Sequence, residues 1–154
     1  MKTTLTTLCA LTAFAGIALA APDTFDFKDA KGGNKADFKL VAPKETIQGS
    51  ANGVSGTVQF DAANPAATKG KIVVASKSLT VPNPLMKSHL HGGTWLDVDK
   101  FPEISFEIKE LKNVKTDADK ISADAVGTFK MKDASKDITV PVTIAPLSRR
   151  SAPS

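Results

Sequence analysis

The strongest constraint in this chain is a period-two alternation of apolar and polar residues, broken at short intervals by turn residues. Successive side chains of a β-strand point to opposite faces, so this pattern builds strands that bury one face and wet the other. Ile104, Phe106 and Ile108 alternate with Ser105, Glu107 and Lys109. Gly127, Phe129 and Met131 alternate with Thr128, Lys130 and Lys132. Ile138, Val140, Val142 and Ile144 alternate with Thr139, Pro141 and Thr143. Pro141 cannot donate to a ladder, which places its strand at a sheet edge or at a bulge.

Upstream, Phe25 and Phe27 flank Asp26, and Phe38 and Leu40 alternate with Asp37 and Lys39. Pairing can resume at residues 46–48, after Pro43. Val54, Val58 and Phe60 share one face of the next strand, and residues 72–75 form an apolar run. Such a run suits a strand covered on both sides or a sheet edge that folds over. Gly32-Gly33-Asn34 and Asn64-Pro65 read as turns. The pattern gives seven or eight strands with no helical pattern between them. A parallel α/β sheet is therefore excluded, and the expected class is all-β and antiparallel, either a sandwich or a barrel.

Residues 82–102 break the rhythm and are expected to form a short helical or irregular insert. Pro82 and Pro84 end a strand, and Leu85, Leu90, Trp95 and Leu96 are scattered apolar positions. The insert carries the only Trp and both His residues, and is the candidate for closing a cavity mouth.

The N-terminus reads as a secretory signal peptide over residues 1–20. Met1-Lys2 is basic, the following run is apolar, and Ala18-Leu19-Ala20 supplies small residues for cleavage. That run is about 16 residues, short of the roughly 20 that a helix needs to span a bilayer. Cys9 lies mid-leader as apolar filler, so the mature chain carries no cysteine. The expected domain covers residues 21–146, and residues 147–154 read as a polar tail. A periplasmic or secreted protein without a stable membrane span is expected. The net charge of +4 is dispersed, and no run of five like charges occurs, which argues against a nucleic-acid partner.

Catalytic chemistry finds little support. The only histidines, His89 and His91, sit two apart, whereas zinc usually takes three or four ligands. No Gly-x-Ser-x-Gly elbow and no Gly-rich phosphate loop occurs. The expectation is a protein without catalytic residues, metal or cofactor.

What remains is the apolar face. Phe38, Leu40, Val58, Phe60, Ile72 and Val74 are expected to point inward. So are Ile104, Phe106, Ile108, Phe129 and Met131, as well as Val140 and Val142. Leu90, Trp95 and His89 would join the ligand-facing set from the insert. These side chains either fill a dry core, as in a β-sandwich interaction module, or surround a cavity that holds one ligand. Lys87, His89 and Asp97 are expected to face a head group at the cavity mouth.

His89-Leu90, then Trp95-Leu96-Asp97, then Lys100-Phe101-Pro102 with Ile104 and Phe106, resembles the central motif of the YceI family. Residues 127–132 and 136–142 resemble a later strand pair of the same family, and the likeness runs from about residue 25 to 146. Three departures are visible. Residues 34–36 stand where the family has a His-Ser pair, and Asp133-Ala134 where it has Gly-Val. The family domain also continues for further strands where this chain reads as a polar tail. The resemblance implies a periplasmic or secreted lipocalin-like β-barrel, here with an open seam. It also implies an apolar ligand in the barrel, a polyisoprenoid or other long-chain lipid. Unpaired edges at a seam would also allow a homodimer.

Overall fold

The computed structural model describes residues 21–41 and 43–145. The expected leader and polar tail lie outside the described residues. Among the described residues nine strands and one α-helix follow in order: β1 (Asp23–Asp26), β2 (Ala36–Val41), β3 (Thr46–Ala51), β4 (Val54–Phe60), β5 (Lys69–Ala75), β6 (Leu79–Thr80), α1 (Pro84–His91), β7 (Glu103–Asp117), β8 (Lys120–Met131) and β9 (Ala134–Ile144). They form a six-stranded sheet, β1-β4-β5-β7-β8-β9, and a three-stranded sheet, β2-β3-β6. Every pair is antiparallel. The class is the expected one, and the insert is α1 followed by a run of turns. Among the described residues the long sheet does not close on itself, since β1 and β9 are its outer strands. Pro141 lies on β9, an outer strand among the described residues, the kind of position to which proline is confined in sheets.

The register explains why the apolar positions share a face. Val58 pairs with Gly70, Gly70 with Ile108, Ile108 with Gly127, and Gly127 with Ile138. The next row runs Ile72, Phe106, Phe129, and the one beyond it Val74, Ile104, Met131. All point to the inner side of the long sheet. In the first row large residues alternate with glycine. A Cβ at Gly70 would run into the carbonyl of Thr57, and one at Gly127 into the carbonyl of Glu107. The strands approach too closely there for any side chain.

β7 is longer than the alternation predicts. A register shift between Ile108 and Glu110 inserts one residue, so Ile108 and Leu111 both face inward, three apart. Both are buried, at 7% and 3% exposure. The period-two signal fails at that bulge while the strand continues. β6 is only two residues long, too short to leave a pattern.

The interior has two centres. Val58, Phe60, Ile108, Leu111, Ala123 and Ala125 form one, with Phe27, Ile72 and Phe106 against it. Ala51, Leu79, Leu96 and Val98 form the other, joined by Phe38, Val74, Leu90 and Ile104. The short sheet and the insert thus cover the Val74/Ile104 end of the long sheet. On the outer face, Asp137 of β9 accepts from Thr128 Oγ1 at 2.6 Å and from Lys109 Nζ at 3.0 Å. The Thr128 hydroxyl, and then the Lys109 ammonium, hold its carboxyl below the ordinary value of 3.8. A depressed carboxylate favours the folded state above that value, and the benefit is lost as pH falls through the lowered one.

Gly127→Ala is expected to destabilise the fold by about 1–3 kcal/mol, because backbone must move to admit the methyl group. Gly93→Ala, whose Cβ would meet nothing within 4 Å, serves as the control and should stay within about 0.5 kcal/mol. Urea unfolding of the two variants beside the wild type checks both values.

Candidate functional site

The site begins with how the insert is pinned. Asn83 caps α1, its Oδ1 accepting from the backbone N–H of Leu85 at 2.9 Å and of Met86 at 3.3 Å. Pro84 follows at the first helical position, where its missing N–H costs nothing. At the other end the N–H of Gly92 donates to the carbonyls of Ser88 and His89. The chain then folds back over the helix end, with Leu96 N–H donating to Leu90 O and Val98 N–H to His91 O. Asp97 turns in the left-handed region at φ 50°, between buried Leu96 and Val98. Its carbonyl accepts from Lys100 and Phe101. His91 Nε2 lies 2.7 Å from Leu79 O and ties the helix to β6. Lys77 and Asp99 pair at 2.8 Å, and the Lys77 ammonium holds the Asp99 carboxyl below its usual range.

Between this insert and the β2–β3 hairpin lies a cleft of about 310 Å³. Phe38 and Leu40 come from β2, Ile47 from β3, and Val81 from the residue after β6. Met86, His89 and Leu90 come from α1, and Trp95 and Glu45 complete the wall. Leu40 and Ile47 are cross-strand partners, which places them side by side. Phe38 pairs with Gly49, and its ring occupies the space a Cβ of Gly49 would need. Met86 and Leu90 lie one helical turn apart on one face.

Of the residues expected from the sequence to face a ligand, the cleft brings together Phe38, Leu40, His89, Leu90 and Trp95. Val58, Phe60 and Ile108 are buried in the first core centre, with Ile72 and Phe106 packed on it. Val74 and Ile104 pack into the second centre. Phe129 is half-buried opposite Phe106, and Met131 is 39% exposed opposite Ile104. These nine lie outside the cleft, on the inner face of the long sheet. Glu45, Ile47, Val81 and Met86 were not singled out in the sequence. Ile47 could have been found from the hairpin register, and Met86 from its four-residue spacing to Leu90.

The two histidines do not converge. Both sit on α1, where residues two apart point to nearly opposite sides. His89 faces the cleft and His91 faces β6. Among the described residues no group of three or more His, Cys, Asp or Glu could hold a metal ion. A larger depression of about 440 Å³ lies on the outer face, but Thr57, Gln59, Lys69, Lys71, Glu107 and Lys109 make it polar and exposed to water. The apolar cleft is the better candidate for a ligand site, since such sites are mainly apolar with a few polar groups.

The YceI-like domain family matches residues 27–152. The chain belongs to the YceI-like family. A UPF0312 protein of Yersinia pestis (strain Pestoides F) is 33% identical over 136 residues, covering 86% of this YceI-like chain and 66% of the relative. Another, from Pseudomonas aeruginosa (strain LESB58), is 31% identical over 129 residues, covering 82% and 63%. The chain thus spans about two thirds of the length of these curated relatives. Among solved structures, BcnA of Burkholderia cenocepacia superposes with a TM-score of 0.59 at 20% identity, covering 73% of this chain and 67% of that one. The YCEI protein of Campylobacter jejuni gives 0.53 at 22% identity, covering 75% and 66%. Both likenesses concern the fold, a YceI-like lipocalin-type barrel that the described strands of this member leave open.

Asn83→Ala leaves the first-turn N–H groups of α1 without their cap. It should lower stability by about 1 kcal/mol. Trp95, the only tryptophan, reports the change directly as a lower denaturant midpoint in its fluorescence.

Proposed function

We propose that this YceI-like protein binds a long apolar or amphiphilic molecule, a polyisoprenoid or similar lipid, and sequesters or carries it in the periplasm or outside the cell. The observation that carries the proposal is the cleft itself. Phe38, Leu40, Ile47, Val81, Met86, Leu90 and Trp95 give it an almost wholly apolar wall, and Glu45 and His89 are its ionisable members. An alkyl or isoprenoid tail lies along the apolar wall, and the head group faces Glu45 and His89. The YceI-like family, whose members commonly bind polyisoprenoids, supports the same reading. The export assignment is supported by the leader-like residues 1–20 and by a family that is generally periplasmic. Among the described residues no helix is long and apolar enough to cross a membrane.

Burial supplies the affinity. Each methylene moved out of water gains about 0.8 kcal/mol, so a tail of ten gains roughly 8 kcal/mol gross. Association and the ordering of the tail oppose this by several kcal/mol. Net affinity therefore rises with chain length until the cleft is filled. No group-transfer step is needed, and none is proposed.

Titration with dansyl-aminoundecanoic acid, followed by dansyl fluorescence, tests the reading. Wild type is expected to bind saturably. Leu40→Asp puts a charge on the apolar wall and should weaken binding at least about tenfold, or 1.4 kcal/mol. Val41→Asp, at a residue 71% exposed and outside the cleft wall, should leave it unchanged. Absence of saturable binding to wild type, or equal binding to Leu40→Asp, would sink the proposal.

A further inference from the structure

We propose that Lys132 is a positioning residue for the cleft: from the β8–β9 turn it reaches across to the insert and holds Trp95 on the cleft wall. The tether itself does not depend on what occupies the cleft, while its effect on binding rests on the lipid-binding reading above. Met131 pairs with Ala134, so β8 and β9 join through a two-residue turn, Lys132-Asp133. Lys132 sits there at φ 55°, in the left-handed region. Such turns favour Gly, Asn or Asp, which reach that region at little cost. The turn gains nothing from a lysine, so the reason for one lies in where its side chain goes.

That side chain leaves its own hairpin. Its ammonium donates to Trp95 O at 2.6 Å, 37 residues away in sequence. It also lies 5.7 Å from the centroid of the Phe101 ring. Both partners belong to the insert, one on each side of the buried Leu96 and Val98. Lys132 is half-buried, which limits the competition of water for the bond. Trp95 has few other restraints. Its ring lines the cleft at 51% exposure, so packing covers only about half of it. Gly92 and Gly93 lead into it and give the backbone little stiffness. Among the described residues, the other hydrogen bonds of residues 92–95 stay within the insert, as where Trp95 N–H donates to Gly92 O. The bond from Lys132 is the one that ties this stretch to the long sheet.

Fluorescence of Trp95 tests the tether with and without ligand. The chain has one tryptophan and no tyrosine, so the signal belongs to this residue. In the ligand-free protein Lys132→Met should lower the Trp95 anisotropy and raise its quenching by acrylamide. The urea midpoint should stay with wild type, because one surface contact adds little to global stability. Dansyl-aminoundecanoic acid should bind Lys132→Met at least about threefold more weakly, the scale of a modest hydrogen bond. Lys132→Arg keeps a donor and should restore both readouts. Lys100→Met removes the same charge beside the same Phe101 ring and should behave as wild type, which separates the tether from plain attraction to the anionic probe. In a Trp95→Ala background the effect of Lys132→Met on binding should vanish. Unchanged anisotropy and quenching in Lys132→Met overturn the proposal. So does probe binding equal to wild type, a loss of affinity that Lys100→Met reproduces, or a urea midpoint that falls in step with affinity. A wild type that binds no probe counts against the cleft reading, and the tether is then decided by anisotropy and quenching alone.

Discussion

The row Val58, Gly70, Ile108, Gly127, Ile138 crosses five neighbouring strands of the long sheet and sets the geometry of everything above it. Glycine on alternate strands lets the backbones close in, and the large residues between them then meet on one side. An apolar sheet face of this kind must be covered, because apolar area left in water costs about 25 cal/mol per Å². The cover here is partial. The short sheet, α1 and the Leu96/Val98 anchor lie over the Val74/Ile104 end. The cleft falls where the β2–β3 hairpin and α1 meet, as part of the arrangement that covers the sheet.

The strands could be read from the alternation because each buries one face. Ile104, Phe106 and Ile108, or Val140 and Val142, announce their side directly. The reading ended where geometry departs from period two. Beyond Ile108 the bulge places Leu111 on the inner face three residues later, so β7 looked shorter than it is. The cleft was legible to the extent that it depends on the same alternation, in Phe38 and Leu40, or on the apolar residues of the insert, Leu90 and Trp95. Ile47 and Met86 depend on hairpin register and helix phase, which single residues do not display. The histidines show the same limit. Two residues apart they would share a face on a strand, yet on α1 they point apart, His89 to the cleft and His91 to Leu79.

The inner and outer faces divide the work. Outside, Thr128, Lys109 and Asp137 link three strands through exposed polar contacts. These are worth little individually, since exposed pairs are screened by water and salt. Inside, burial supplies both the fold and, in the proposed function, the ligand affinity. The insert serves both, since Leu96 and Val98 anchor it in the second core centre while Trp95, one residue away, stands exposed on the cleft wall.

Native mass spectrometry of the protein, purified from cells that express it and kept out of detergent, bears most directly on whether the apolar cleft holds a lipid tail. The account predicts an added mass that organic extraction removes, identifies as a long-chain amphiphile, and restores on re-addition. A bare polypeptide mass that stays bare after incubation with the extracted lipids would contradict it.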